Sequence, residues 1–254
     1  MKVTPIRTEP FHVGTDLFQV ISAVIQKLEE RSIVIITSKV VSIVEGRVIP
    51  IDKNRSDKEQ KDELVEKEAD YFLSSSENPY GFCISVKNNT IIASAGIDES
   101  NAEGNFVFWP KDPQTSANAI RAFLQKKYTV KEVGVVITDS HVLPLRWGTH
   151  GTSIAHSGFQ ALNDYRGKPD IFGRSLQVSQ ANVAEGLAAA AVLVMGEGNE
   201  QTPIAIVQDL PFVQFQDRDP SEDELKSLAI SLEEDLFTPI LKKANWKKGQ
   251  GGRS

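Results

Sequence analysis

The run Val133-Gly-Val-Val-Ile-Thr-Asp139-Ser-His-Val-Leu-Pro-Leu-Arg-Trp-Gly148 constrains this chain more than any other segment. Its apolar, β-branched start reads as a buried strand. The strand pattern stops at Thr138-Asp139-Ser140, and Pro144 and Gly148 punctuate the irregular stretch that follows. A carboxylate and a hydroxyl are thereby held at a strand end, where open sheets covered by helices build their sites. Oxygen ligands of this kind suit hard cations such as Mg²⁺, which take one or two carboxylates together with substrate phosphates. Read alone, Asp139 also fits a turn-capping aspartate.

The rest of the chain supplies helices and strands without strict alternation. Thr15 or Asp16 is positioned to cap a helix whose apolar residues Leu17, Val20, Ile21, Val24, Ile25 and Leu28 have helical spacing. Residues 33–37 and 40–44 are β-rich. Ser56-Asp-Lys-Glu59 fits a capping box, and a highly charged helix is expected from there to Leu73. Residues 82–87 and 90–95 read as a hairpin across Asn88-Asn89. Helices are expected over 116–128 and 180–195, the second ending at Gly196 and Gly198. Residues 203–208 read as a strand, and Ser221-Glu-Asp-Glu224 opens an amphipathic helix to Lys243. This mixture predicts an α+β fold of mixed sheets with packed helices, in two intimately connected subdomains. The expected folded unit is 1–243. The tail 244–254 is basic and glycine-rich and is expected to be disordered.

Composition narrows the function. The 254 residues are 40% hydrophobic and 24% charged, an ordinary globular balance that permits one large domain or two modest ones. A net charge of −6 supplies no basic field for nucleic acid, so no nucleic-acid partner is expected. The single Cys83 excludes an internal disulfide and a Cys-rich zinc site, and its strand-like surroundings predict a buried, inert thiol. His141, His150 and His156 show no helical pair and no His-x-His, which speaks against zinc. No apolar run reaches the roughly 18 residues that span a bilayer. Met1-Lys2-Val3-Thr4 leads into polar sequence with no apolar signal-peptide segment, so the expectation is a cytoplasmic protein without a membrane partner.

Four further segments accompany the one around Asp139. They are Ile33-Val-Ile-Ile-Thr-Ser-Lys-Val-Val-Ser-Ile-Val-Glu-Gly-Arg47, Ala93-Ser-Ala-Gly-Ile-Asp98-Glu-Ser-Asn101, Asn163-Asp-Tyr-Arg-Gly-Lys-Pro-Asp-Ile-Phe-Gly173 and Ala188-Ala-Ala-Ala-Val-Leu-Val-Met-Gly-Glu197-Gly. In this order and spacing the chain resembles the coenzyme F420-0:gamma-glutamyl ligase family, from about residue 10 to about residue 210. The resemblance implies that fold and a nucleotide-dependent amide ligase. It implies GTP as co-substrate, Mg²⁺ or Mn²⁺, L-glutamate, a small carboxylated acceptor and a homodimer.

The resemblance also implies residue roles. Asp98 and Asp139 match metal-binding aspartates. Ser140 stands where the family has a threonine metal ligand, and Glu197 falls near another metal-associated position. Ser38, Lys39 and Asn101 match nucleotide-contacting residues, as do the loop Pro10, Phe11, His12, Val13 and the turn Gly196, Glu197, Gly198. Asp98, Asp139 and Arg146 are the candidate catalytic residues. Such a ligase phosphorylates a carboxylate and lets an amine attack the acyl phosphate, so it must hold a triphosphate and align a nucleophile. The chain has no Gly-x-x-x-x-Gly-Lys-Ser/Thr, so its nucleotide site would use another scaffold.

Departures from the family cluster after Asp139. Where the family reads Asp-Thr-Phe-Gly-Arg-Pro-Trp-Arg, this chain keeps Pro144 and Arg146 but has Val142, Leu143 and Leu145 for the glycine, first arginine and tryptophan. Ile43 replaces a lysine that often touches nucleotide. Losing an arginine removes a bidentate clamp for phosphate or carboxylate. The acceptor therefore stays open between a deazaflavin precursor and a folate or other pterin. ATP in place of GTP, and a non-catalytic nucleotide-binding homologue, also stay open. Arg146, Trp147 and Arg166 are the candidates for acceptor recognition, and Trp147 fits loop packing equally well.

Overall fold

A five-stranded sheet organises the chain. The structure, a computed structural model, describes residues 1–252. The sheet runs in the order β1 (Lys2–Ile6), β12 (Ile204–Gln208), β2 (Ser32–Thr37), β8 (Val133–Val142) and β9 (Thr149–Ser157). Only β2 and β8 pair in parallel, with Thr37 opposite Thr138; the other pairs are antiparallel. The central strands are buried on both faces, which is why they read as unbroken apolar runs. One face packs on α1 (Leu17–Val24), α2 (Ser38–Val44) and α4 (Pro113–Tyr128) through Ile21, Val34, Val135, Ile137 and Leu124. The other packs on α5 (Val183–Met195) through Ile33, Val136, Leu187 and Ala191.

A second layer flanks the end of β8. Here β13 (Lys247–Lys248), β4 (Tyr71–Leu73), β5 (Ile84–Lys87) and β6 (Thr90–Ala93) form an antiparallel sheet. The helix α3 (Asp57–Glu68) covers it through Val65, Phe72 and Phe106. The pair β3 (Val48–Pro50) and β7 (Asn105–Val107) links this layer to α2. A small hairpin, β10 (Leu162–Asp164) with β11 (Gln180–Asn182), carries the long excursion 165–179. Short helices α6 (Glu222–Leu228) and α7 (Thr238–Leu241) close the chain. The mixed α+β architecture is the one expected. Among the described residues no helix is long and apolar enough to cross a membrane.

Local signals held where they were backbone chemistry. Asp16 caps α1 by accepting from the amides of Phe18 and Gln19. Asn88 and Asn89, at φ 48° and 59°, make the two-residue turn between β5 and β6. Ser221 and Glu224 cap each other reciprocally at α6.

Other expectations are corrected. Residues 40–44 are helical, because Val40, Val41 and Ile43 are all buried beside the sheet and packing overrides their β preference. The helix from Asp57 stops at Glu68, where Ala69 turns extended and feeds β4. Gln180–Asn182 is strand, and the helix starts only after Asn182 caps Glu185. The first helix ends at Val24, although Ile25 and Leu28 remain buried. The last amphipathic helix breaks at Ala229, which is extended, so α6 does not reach Lys243. The tail is not disordered through Gly252. Lys247–Lys248 pair with Tyr71–Phe72, and the amides of Gly249, Gln250, Gly251 and Gly252 donate to carbonyls of Asp70, Glu66, Ala69 and Lys67. Backbone groups carry this docking, so side-chain composition does not reveal it. Arg253 and Ser254 lie outside the described residues.

Candidate functional site

The parallel pairing of β2 with β8 sets the site. Because Thr37 and Thr138 are in register, the next residues, Ser38 at the start of α2 and Asp139 on β8, emerge at the same end of the sheet. Ser38 Oγ donates to Asp139 Oδ1 at 3.3 Å. Trp109 Nε1 donates to Asp139 Oδ2 at 2.5 Å. All donors around this carboxylate are neutral. Burial therefore pushes Asp139 up to about 6, against the hydrogen bonds from Trp109, Ser140 and Ser38, and the nearby Asp98 adds to the rise.

Asp98 is held differently. Its Oδ2 meets Lys39 Nζ at 2.7 Å, and its Oδ1 accepts from the amides of Glu99 and Ser100. Ser100 Oγ donates to Oδ2 at 2.7 Å, and Lys39 Nζ also donates to the Ser100 carbonyl. Burial alone would raise Asp98; the Lys39 charge and these hydrogen bonds outweigh it and hold the group at about 2. Lys39→Gln should release that hold. The Asp98 pKa is then expected to rise, since burial remains while the Lys39 charge is gone, and carboxyl-carbon NMR titration checks it.

The remaining site residues join this pair through loops. Ser140 Oγ donates to Glu197 Oε2 at 2.7 Å, across the turn that follows α5. Gly196, at φ 84°, reverses the chain there. Asn101, also left-handed at φ 52°, donates to the Gly198 carbonyl at 3.1 Å. The loop 10–13 comes up beside the Asp98 segment. His12 Nδ1 lies 2.9 Å from Glu103 Oε2, while Phe11 packs against Ile43 and Ala102. Pro10 and Val13 are exposed.

Arg146 is not brought into this cluster. It lies on the exposed turn between β8 and β9 with Leu145 and Trp147, which are 99% and 92% exposed. Val142 and Leu143 are exposed on the same arm. Trp147 stands edge-on to Tyr80, with ring centroids 6.5 Å apart. Arg166 grips Asp164 in a bidentate pair on the excursion after β10. Ile43 is buried in the apolar cluster of Ala102 and Val107, where a lysine would have to carry its charge out along the helix.

Sequence reasoning missed Trp109, Ser100 and Glu103. The signal for Trp109 was present: an indole in an apolar Phe-Val-Phe-Trp run needs a partner for its N–H once buried, and it is 2% exposed.

The donor set suits a hard cation. Asp98, Asp139, Ser140 and Ser38 offer only oxygen, and Asp139 is a dehydrated carboxylate without a counter-charge of its own. Among the described residues no three of Asp, Glu, His or Cys gather closely enough to hold a metal unaided. Glu197 reaches the aspartates through Ser140. Two carboxylates completed by hydroxyls, water and phosphate oxygens fit Mg²⁺ or Mn²⁺ bound together with a nucleotide.

Residues 5–209 match the family described as F420-0:Gamma-glutamyl ligase. The chain is similar to the coenzyme F420:L-glutamate ligase of Archaeoglobus fulgidus, 31% identical across 96% of this chain and 98% of that protein. The enzyme of that name from Methanococcus maripaludis strain C6 is 34% identical, covering 83% and 86%. The one from Methanocaldococcus jannaschii is 35% identical, covering 78% and 85%. The chain belongs to the F420-0:Gamma-glutamyl ligase family.

Proposed function

We propose that this protein is a GTP- and divalent-cation-dependent ligase that joins L-glutamate through an amide bond to a carboxylated deazaflavin precursor of coenzyme F420. The observation that carries the reading is the pairing of Asp98 and Asp139 at the strand end, with Lys39 beside one and Ser38 and Ser140 beside the other. The relatives' names supply glutamate and the F420 acceptor.

In this reading an acceptor carboxylate oxygen attacks the γ-phosphorus and the nucleoside diphosphate leaves. The glutamate amine then attacks the acyl carbon, and inorganic phosphate leaves with the former carboxylate oxygen. Mg²⁺ or Mn²⁺ held here would supply charge neutralisation for the triphosphate. Asp98 and Asp139 would hold it, with the hydroxyl of Ser140 at its edge. Lys39 is placed to exchange its contact with Asp98 for a phosphate oxygen. The backbone turns at 101–104 and 196–198 and the loop 10–13 frame the nucleotide. Water must be kept from the acyl phosphate, because hydrolysis would waste it.

The exposed tips Leu145, Trp147, Ile171 and Phe172 fit a homodimer that covers them, which light scattering checks. The function is tested by mass spectrometry of reactions holding Mg²⁺, Mn²⁺, L-glutamate and either GTP or ATP, with deazaflavin and folate acceptors in separate tubes. A glutamyl mass gain on the deazaflavin with stoichiometric GDP is expected. Gain on folate alone would move the acceptor to pterins. Nucleotide binding without any gain would leave a binding protein that kept the fold.

A further inference from the structure

The arm formed by β8 and β9 carries two histidines that the ligase reading does not use. His141 and His150 stand opposite one another in the register of the two strands. Their ring centroids are 5.5 Å apart and their planes are crossed at 85°. His150 Nδ1 lies 3.0 Å from the Gly151 carbonyl oxygen. A carbonyl only accepts, so Nδ1 carries the proton, and in the neutral ring the lone pair sits on Nε2. That Nε2 is buried and has no hydrogen-bond partner, and His141 Nδ1 is buried and unpartnered as well. Buried side-chain nitrogens are normally satisfied, so two orphans on neighbouring rings need an explanation.

A cation between the rings supplies one. Metal-bound histidines typically donate their other ring N–H to a backbone carbonyl or carboxylate, which is the bond His150 already makes. A tetrahedral Zn²⁺ takes imidazole nitrogen at about 2.0–2.1 Å, which sets two ring centroids about 5.2 Å apart. The observed separation of 5.5 Å is close to that value, so rotation of the rings about their side-chain bonds would bring both nitrogens onto one cation. Among the described residues no third Asp, Glu, His or Cys joins the pair, so water entering with the cation past these half-buried side chains completes its coordination.

We propose that His141 and His150 form a binding site for a borderline divalent cation, Zn²⁺ foremost, separate in chemistry from the carboxylate pair. Imidazole nitrogen selects Zn²⁺, Ni²⁺ and Cu²⁺, whereas the oxygen donors of Asp98 and Asp139 select Mg²⁺ and Mn²⁺. His141 follows Asp139 by two residues and shares its face of the strand, about 7 Å further along. A cation there clamps the arm across both strands and adds positive charge beside the ligase site.

Calorimetric titration of Zn²⁺ into the full chain, with Mg²⁺ in large excess, tests the site. Wild type is expected to bind one Zn²⁺. His141→Asn and His150→Asn should each weaken binding by about tenfold or more, and the double variant Asp98→Asn/Asp139→Asn should leave it unchanged. Unchanged affinity in both histidine variants, or loss in the carboxylate variant, overturns the proposal. Nitrogen-15 NMR of wild type needs no variant to fold. Zn²⁺ must shift His141 Nδ1 and His150 Nε2, and still resonances at both would be equally decisive against it.

Discussion

Asp139→Asn is expected to lower ligation by about 10²–10³-fold or more while raising the stability of the metal-free chain. The two effects share one cause. Burial raises Asp139 from an ordinary 3.8 to about 6 in the folded protein. The fold thus favours the protonated carboxyl, and ionisation is easier in the unfolded chain. This contribution is fully present below pH 4, is lost as pH rises towards 6, and stays lost above it. The loss at neutral pH is about 1–3 kcal/mol, the lower end allowing for the residue's residual exposure. Asparagine removes the charge and keeps the shape. Its amide oxygen can accept from Trp109, and its NH₂ can donate to Ser38 Oγ. The variant should therefore melt about 2–8 °C above wild type at pH 7 without metal, and level with it near pH 4. Mg²⁺ with nucleotide should raise the wild-type melting point and leave the variant unmoved, because ligand stabilises only the state that binds it. A variant that melts below wild type at pH 7 would mean that Asp139 is not the strained carboxylate described here.

This tension explains which parts of the site were legible in the sequence. Asp139, Ser140, Ser38 and Lys39 sit where apolar strand patterns break into polar residues, and a polar break at a strand end marks a site. Their meeting depends on β2 and β8 being parallel neighbours, roughly a hundred residues apart in the chain; the family resemblance, not periodicity, brought them together. Lys39 was legible as a residue but its partner was not. The ion pair with Asp98 crosses between α2 and a left-handed turn whose shape only the fold defines. Trp109 escaped because its single polar atom matters only once Asp139 is in reach. Arg146 was expected among the catalytic residues, and the structure puts it on the exposed arm, since β8 continues to Val142 before the chain turns. Strand continuation past a Thr-Asp-Ser break reflects pairing with β9, which a sequence window cannot weigh. The same limit hid the docking of the tail on β4, where backbone amides do the binding.

Trp109 holds Asp139, and one glycine beside Asp98 makes room for its indole. Gly96 lies two residues before Asp98, at φ +71°. A Cβ added there would stand 2.1 Å from Trp109 Nε1 and 2.5 Å from Cδ1 and Cε2, well inside van der Waals contact. The backbone on one side carries Asp98 and cannot retreat without moving it. The indole on the other is 2% exposed and donates to Asp139. Gly96→Ala must therefore displace the ring, the Asp98 turn, or both. The expected cost is about 2–4 kcal/mol, from overpacking added to a left-handed alanine. That corresponds to a melting point roughly 5–15 °C lower, with ligation lost alongside. Gly46→Ala supplies the comparison. Gly46 has the same left-handed φ, +70°, and nothing within 4 Å of its Cβ position, so only backbone strain of about 1 kcal/mol is expected. Trp109→Phe separates the remaining terms, because it keeps most of the ring volume and removes the N–H. It should melt within a few degrees of wild type while weakening Mn²⁺ binding about tenfold, since an unheld Asp139 carboxylate is a poorer ligand. If Gly96→Ala and Gly46→Ala melt alike, the close approach of Trp109 to the Asp98 turn contributes nothing, and the two aspartates are positioned by other contacts.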